Sequence, residues 1–339
     1  IKSATTGTGA ALERLFITGV SPVTMDDVTS GFNIGTNITN DSWFNDLVGF
    51  SENELREMLE YYKEQGVLQE SIDEIVAMMK PNYDNYCFSE DTLEQCMFNS
   101  DMALYFLKSF VLHHKKPKEI VDPNIRTDFN KLAYLIKLDH GLGENFSVIK
   151  EIAEQGEIIT DIVTHFSALE MTDPSNFKSL LFYFGLLSIK GVDMVGRPIL
   201  HVPNLVVREQ LFNFLIQGYI KHDIFKIDMN KMSALFENMA FRGDWKPLFD
   251  FIANAVREQS RIREYIEGEA HIKGFLLAYL GMYRYYQLYP EYELNKGFAD
   301  FFFKPSLSVP VLPPFTYLLE VKYAKAGASE KEIRALADE

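Results

Sequence analysis

An aspartate inside an aromatic run and a Glu-x-Lys triplet inside an apolar one are the residues of this chain best placed to do chemistry. Asp300 stands in Gly297-Phe298-Ala299-Asp300-Phe301-Phe302-Phe303, and Glu320 and Lys322 stand in Tyr317-Leu318-Leu319-Glu320-Val321-Lys322-Tyr323. Both runs have the density of buried strands, where a carboxylate costs stability unless a cation or hydrogen bonds compensate it. Alternation along a strand puts Glu320 and Lys322 on one face, about 7 Å apart, and turns Val321 to the other. If the two strands form a hairpin, Asp300 lies beside that face. Two carboxylates and the adjacent Val321 carbonyl then make an oxygen-rich site suited to Mg²⁺ (or Mn²⁺), which keeps several waters and needs few protein ligands. The Lys322 ammonium is placed to orient or help deprotonate an attacking water and to offset transition-state charge, the division of labour of metal-assisted phosphodiester hydrolysis. The plain alternative is an edge-strand Glu-Lys pair facing solvent. A rival triplet, Asp244-Trp245-Lys246, is flanked by Gly243 and Pro247, which are poor strand surroundings.

The elements that must position these residues can be followed along the chain. Residues 15–20 read as a short buried strand closed by Ser21-Pro22, with Thr18 either facing a nucleotide or merely structural. Ser51 and Glu54 have capping-box spacing, opening a helix that runs to about residue 65. A second helix is expected over about 71–79, ending before Pro81, and a third apolar segment spans 102–112. From about 128 to 169 the pattern is helical throughout, with Leu132, Leu135, Ile136, Val148, Ile149 and Ile152 at one-face spacings. Residues 177–219 give helix, short strand, glycine-bounded wing, short strand and helix, the order of a winged-helix-like unit. A DNA-reading role is open to it, but an acidic neighbourhood favours an inter-domain scaffold. The polar stretch near 230–244 is the expected boundary. Residues 257–280 suit a helix weakened by Gly268 and Gly274, with Glu269 ahead of its apolar part.

Composition sets the limits. A chain of 339 residues, 47% hydrophobic, is long enough for two or three buried cores. No apolar run reaches the roughly 18 residues of a membrane span, and there is neither an initiator Met nor a signal pattern, so the chain is expected to begin inside a longer product. Two cysteines, Cys87 and Cys96, make no disulfide framework and, with His113 and His114, no usual zinc spacing, which suggests reduced cytosolic thiols. The net charge of −15 argues against a chain coated in nucleic acid. From residue 236 onward, however, 13 Lys+Arg face 15 Asp+Glu, so nearly all the acidic excess lies in the first 235 residues.

Several blocks in order resemble one family. Glu269 before its apolar helix, Tyr292-Glu293, the Gly297–Asp300 block and Leu318-Leu319-Glu320-Val321-Lys322-Tyr323 are similar to the nuclease end of a bacterial family, common in Bacteroidetes, that fuses an AAA-like ATPase to a PD-(D/E)XK domain. Phe16-Ile17-Thr18-Gly19-Val20-Ser21-Pro22, Ser30-Gly31-Phe32-Asn33, Gly49-Phe50-Ser51, Tyr83-Asp84-Asn85-Tyr86-Cys87-Phe88, Phe98-Asn99, Asp122-Pro123-Asn124 and Leu180-Leu181-Phe182-Tyr183 resemble the part of that ATPase downstream of its Walker motifs. The chain departs from the family in having no G-x(4)-G-K-[ST], and in carrying Asn82-Tyr83-Asp84-Asn85-Tyr86 where the family often has Trp-Tyr-Asp-Gly-Tyr. It also stops within the helix expected after the second catalytic strand, which makes a truncated nuclease an expectation.

The resulting expectation is a mixed, mostly α chain: residues 1–125 the end of an ATPase-like module, 126–235 a helical, winged-helix-like region, and 236–339 an α/β PD-(D/E)XK nuclease-like domain. The resemblance implies DNA as substrate, Asp300, Glu320 and the Val321 carbonyl as Mg²⁺ (or Mn²⁺) ligands, Lys322 serving the water, and Glu269 assisting the metal or its waters. It implies ATP only in a longer chain, a cytoplasmic protein with no membrane contact, and is compatible with a homo-oligomer. The alternative is a non-catalytic regulatory or interaction module that keeps a nuclease-like fold.

Overall fold

The computed structural model describes residues 16, 18–19, 36–117, 143–164, 170, 173–221, 226–259, 269–295, 297–306, 309, 311–322, 324 and 327–338. About half of these are helical, and the strands form two small antiparallel sheets. Among the described residues no helix is long and apolar enough to cross a membrane. Half of the strand expected at 15–20 lies outside them; Phe16, Thr18 and Gly19 carry no strand, and Phe16 is 63% exposed rather than buried.

The N-terminal helices follow from their caps. Helix α1 (Glu52–Glu64) opens on the capping box: Glu54 N donates to Ser51 Oγ and Ser51 N to a Glu54 carboxylate oxygen at 2.8 Å. Helix α2 (Ile72–Tyr83) does not stop before Pro81 but carries it inside. The proline has no N–H to give, yet the Asn82 side chain donates to the Met78 carbonyl at 2.8 Å, and Met79 and Tyr83 are fully buried. Burial of the last turn outweighs the one lost bond. Helix α3 (Ser100–His113) is capped by Asn99 and joins α1 and α2 in one core through Leu55, Leu59, Ile75 and Phe106.

The middle of the chain departs from its expected helical run. Residues 128–142, with Leu132, Leu135 and Ile136, lie outside the described set. Helix α4 (Glu144–Gln155) ends at Gly156 with φ 77°, and the chain turns into strand β1 (Glu157–Ile159). The glycine takes a left-handed conformation that other residues resist, so the helical pattern cannot continue through it. After helix α5 (Pro174–Tyr183), strands β2 (Ser188–Val192) and β3 (Pro198–His201) and helix α6 (Leu205–Lys221) follow in the expected order. β3 is the central strand, with β1 and β2 antiparallel on either side.

The stretch near 230–244, expected to be a polar boundary, is helix α7 (Met229–Arg242), with Met232, Phe236, Met239 and Ala240 buried in the larger core. Its polar residues belong to the solvent face of an amphipathic helix. Nor is 257–280 one helix: α8 (Lys246–Glu258) gives way to extended Gln259, and α9 begins later (Glu269–Gly281). Asp244-Trp245-Lys246 leads into α8, where Lys246 pairs with Asp250 at 2.5 Å on the exposed side.

Three strands complete the C-terminal part, in the order β4-β5-β6 (Tyr286–Leu294, Gly297–Pro305, Tyr317–Leu319), before helix α10 (Glu330–Asp338). Strand β4 was not expected, and β6 is shorter than the run 317–323. Helix α9 packs against both α6 and β4. The approach to α6 is so close that a Cβ at Gly281 would fall 2.4 Å from a ring carbon of Phe212, a side chain only 1% exposed. Gly281→Ala is therefore expected to cost about 1–3 kcal/mol through forced repacking. Urea unfolding would check it; an unchanged midpoint would mean that α6 and α9 can separate freely.

Candidate active site

Phe301 and Phe303, 1% and 0% exposed, fix β5 in the core, and β6 pairs with it antiparallel as Phe301↔Leu319, Phe302↔Leu318 and Phe303↔Tyr317. Carried one step further, that register sets Asp300 opposite Glu320. Directly opposed residues on neighbouring strands share a face, and the Asp300 N–H points at Glu320 Oε2, 3.4 Å away. Val321 is 8% exposed and belongs to the core, which anchors the backbone between Glu320 and Lys322.

The Asp300 carboxylate is 7% exposed and well compensated. Its Oδ2 accepts a 2.6 Å hydrogen bond from Val321 N–H, and its Oδ1 is paired with the Lys273 ammonium. Charge-assisted bonds of this kind offset the cost of burying a carboxylate. Glu320, whose side chain is 50% exposed, pairs through Oε1 with Lys322 Nζ at 3.1 Å. The described cluster thus holds two carboxylates and two ammonium groups, one pair sheltered and one at the surface.

The structure therefore brings together Asp300, Glu320, Val321 and Lys322. Glu269 opens α9 one turn before Lys273, but its side chain is outside the described residues. Lys273 escaped the sequence reading, although its spacing of four from Glu269 places the two on one helix face. Among the described residues no three His, Cys, Asp or Glu side chains gather as a metal cluster. Cys87 and Cys96 are free; burial raises both thiols, Cys96 to about 11, which keeps them protonated.

Residues 267–338 match the family described as the PD-(D/E)XK nuclease superfamily. A domain of that superfamily is thus present at these residues, and it takes in helix α9, the whole β4-β5-β6 sheet, α10 and the four side chains Lys273, Asp300, Glu320 and Lys322. No curated protein and no solved structure matches the chain.

Proposed function

We propose that the domain at 267–338 hydrolyses phosphodiester bonds of DNA with a divalent ion, Mg²⁺ or Mn²⁺, taken by Asp300, Glu320 and the Val321 carbonyl. The observation that carries this reading is the opposition of Asp300 and Glu320 across β5 and β6, with Lys322 on Glu320, inside a nuclease-superfamily segment. The donors are the hard oxygens that Mg²⁺ prefers, and such an ion polarises the phosphoryl oxygen and acidifies a bound water. Asp300 supplies a sheltered carboxylate whose direction Val321 N–H fixes. Glu320 supplies the solvent-facing carboxylate on the substrate side. Lys322, now paired with Glu320, would be free to hold the attacking water and offset phosphoryl charge once that carboxylate served the ion. Glu269 is assigned to the ion's waters from its place at the start of α9. In this reading the N-terminal part is an ATPase-like partner to the nuclease, the protein is cytoplasmic, and a homo-oligomer is compatible with it.

One observation favours a second reading. Lys273 already neutralises Asp300, as expected of a fold kept as a non-catalytic interaction platform. Lys322→Ala separates the two. It removes no proposed ligand, so Mg²⁺-linked thermal stabilisation is expected to persist while cleavage of a DNA duplex falls roughly 10²–10³-fold. Cleavage at the unmodified rate in this variant would remove Lys322 from the mechanism, and absence of both metal response and cleavage in the parent chain would favour the platform.

A further inference from the structure

A cavity of about 50 Å³, partly open to solvent, lies away from the carboxylate cluster, between the start of α6, the end of α9 and the base of β4. Among the described residues two arginines and one glutamate supply its charge. Arg284 makes a two-pronged pair with Glu209, its Nε and Nη2 each 3.2 Å from a carboxylate oxygen. Arg208 is different: its Nη1 donates to the Leu288 carbonyl at 3.2 Å, and among the described residues no carboxylate meets it. A guanidinium stays charged in any protein setting and offers five donors, so one carbonyl leaves its charge unpaired among the described residues and most of its donors open to the cavity and solvent. Burial pulls Arg208 below its ordinary pKa, against a smaller opposing pull from Tyr289. Around it, the first-turn N–H groups of Leu205 and Val206 find no acceptor among the described residues, and Asn82, Gln287 and Ser306 add polar edges. In a chain of net charge −15, the described residues lining this pocket carry a formal excess of one positive charge.

We propose that this cavity binds a phosphate group, held by the Arg208 fork with Arg284 beside it. A planar guanidinium matches two phosphate oxygens at once, and a helix start presents N–H groups to a third. The space would hold several waters, or one phosphoryl group in their place. The bound anion answers the half-buried charge of Arg208 and ties α6 to the end of α9 and to β4. The source is either free phosphate or the phosphate of a small ester, whose remainder would extend through the open side.

The test uses the full chain without divalent metal, at constant ionic strength. Inorganic phosphate, adenosine 5′-monophosphate and adenosine are titrated by calorimetry and by thermal unfolding, with chloride as the control anion. Phosphate or the monophosphate is expected to bind at millimolar concentration or below and to raise the melting temperature, while adenosine alone does neither. A monophosphate at least tenfold tighter than phosphate identifies an ester; equal affinities identify the free ion. Arg208→Met removes the uncompensated charge while keeping the stem. Without ligand the variant is expected to be as stable as the parent or more so, and to lose the phosphate response. If Arg208 only braces the Leu288 carbonyl, the variant is less stable in every buffer and the parent ignores phosphate, which overturns the proposal. A phosphate response undiminished in Arg208→Met overturns it too. Should that variant not fold, Arg208→Lys keeps the charge without the fork and is expected to bind at least tenfold more weakly; unchanged affinity there counts against the site.

Discussion

Glu320→Gln is expected to abolish Mg²⁺-dependent DNA cleavage, by roughly 10²–10³-fold or more, while leaving the fold intact. The substitution keeps size and shape. Glu320 is half exposed, and its pair with Lys322 lies at the surface, so its loss should change stability by no more than about 0.5 kcal/mol. Metal binding is another matter, because an amide oxygen carries no formal charge to meet a divalent ion. Ligand binding stabilises a fold by RT ln(1 + [L]/Kd), about 2.7 kcal/mol at a hundred times Kd. The parent should therefore show a Mg²⁺-dependent rise in melting temperature that the variant lacks or shows only at much higher concentration. Circular dichroism, melting with and without Mg²⁺, and cleavage of a labelled duplex decide it. A variant that cuts at the parental rate would exclude Glu320 from the chemistry, whatever the superfamily match implies.

What the sequence disclosed about this site and what it hid have a common physical basis. A carboxylate inside Phe298–Phe303 is costly, so Asp300 was conspicuous, and alternation along a strand was enough to associate it with Glu320. The sequence could not show that β6 ends at Leu319, since the apolar alternation of Tyr317 and Leu319 continues through Val321 and Tyr323; the Val321 N–H instead goes to the Asp300 side chain. Strand β4 was missed because Tyr286–Leu294 mixes Gln, Pro and Glu with its aromatics, and what makes it a strand is its long register with β5. Helix ends written in local chemistry, such as the Ser51 capping box, were legible. Those decided by tertiary burial, such as the turn carrying Pro81, were not. Helix α7 is the same case: the polar residues near 230–244 read as a boundary and gave no sign of the helix whose Met232 and Phe236 pack inward. Lys273 belongs here too, because a lysine on an apolar helix gives no sign of the carboxylate it will meet more than twenty residues later.

Lys273→Met should lower the stability of the metal-free protein by about 3 kcal/mol, and divalent metal should then restore more stability than it adds to the parent. The first half follows from burial: Asp300 is 7% exposed, and removing the partner of a buried ion pair leaves a charge that little else compensates. The remaining Val321 N–H answers only Oδ2. The second half follows if Asp300 is a metal ligand. In the parent, Mg²⁺ must displace the Lys273 ammonium from Oδ1, and the energy of that pair is subtracted from the apparent affinity. In the variant the oxygen is unclaimed and the unbound state is already raised in energy. Mg²⁺ should therefore bind at least tenfold more tightly, about 1.4 kcal/mol by the usual conversion, and the melting temperature should recover toward that of the parent. Cleavage at saturating metal measures something separate, since it depends also on Glu320 and Lys322, which the substitution does not touch. An interaction platform behaves differently: Lys273→Met would lose stability to the same extent, but neither Mg²⁺ nor Mn²⁺ would return any of it. Parallel melting curves of parent and variant across a metal titration read both halves, and a variant that is destabilised yet indifferent to metal would mean that Lys273, and no metal ion, is the lasting partner of Asp300.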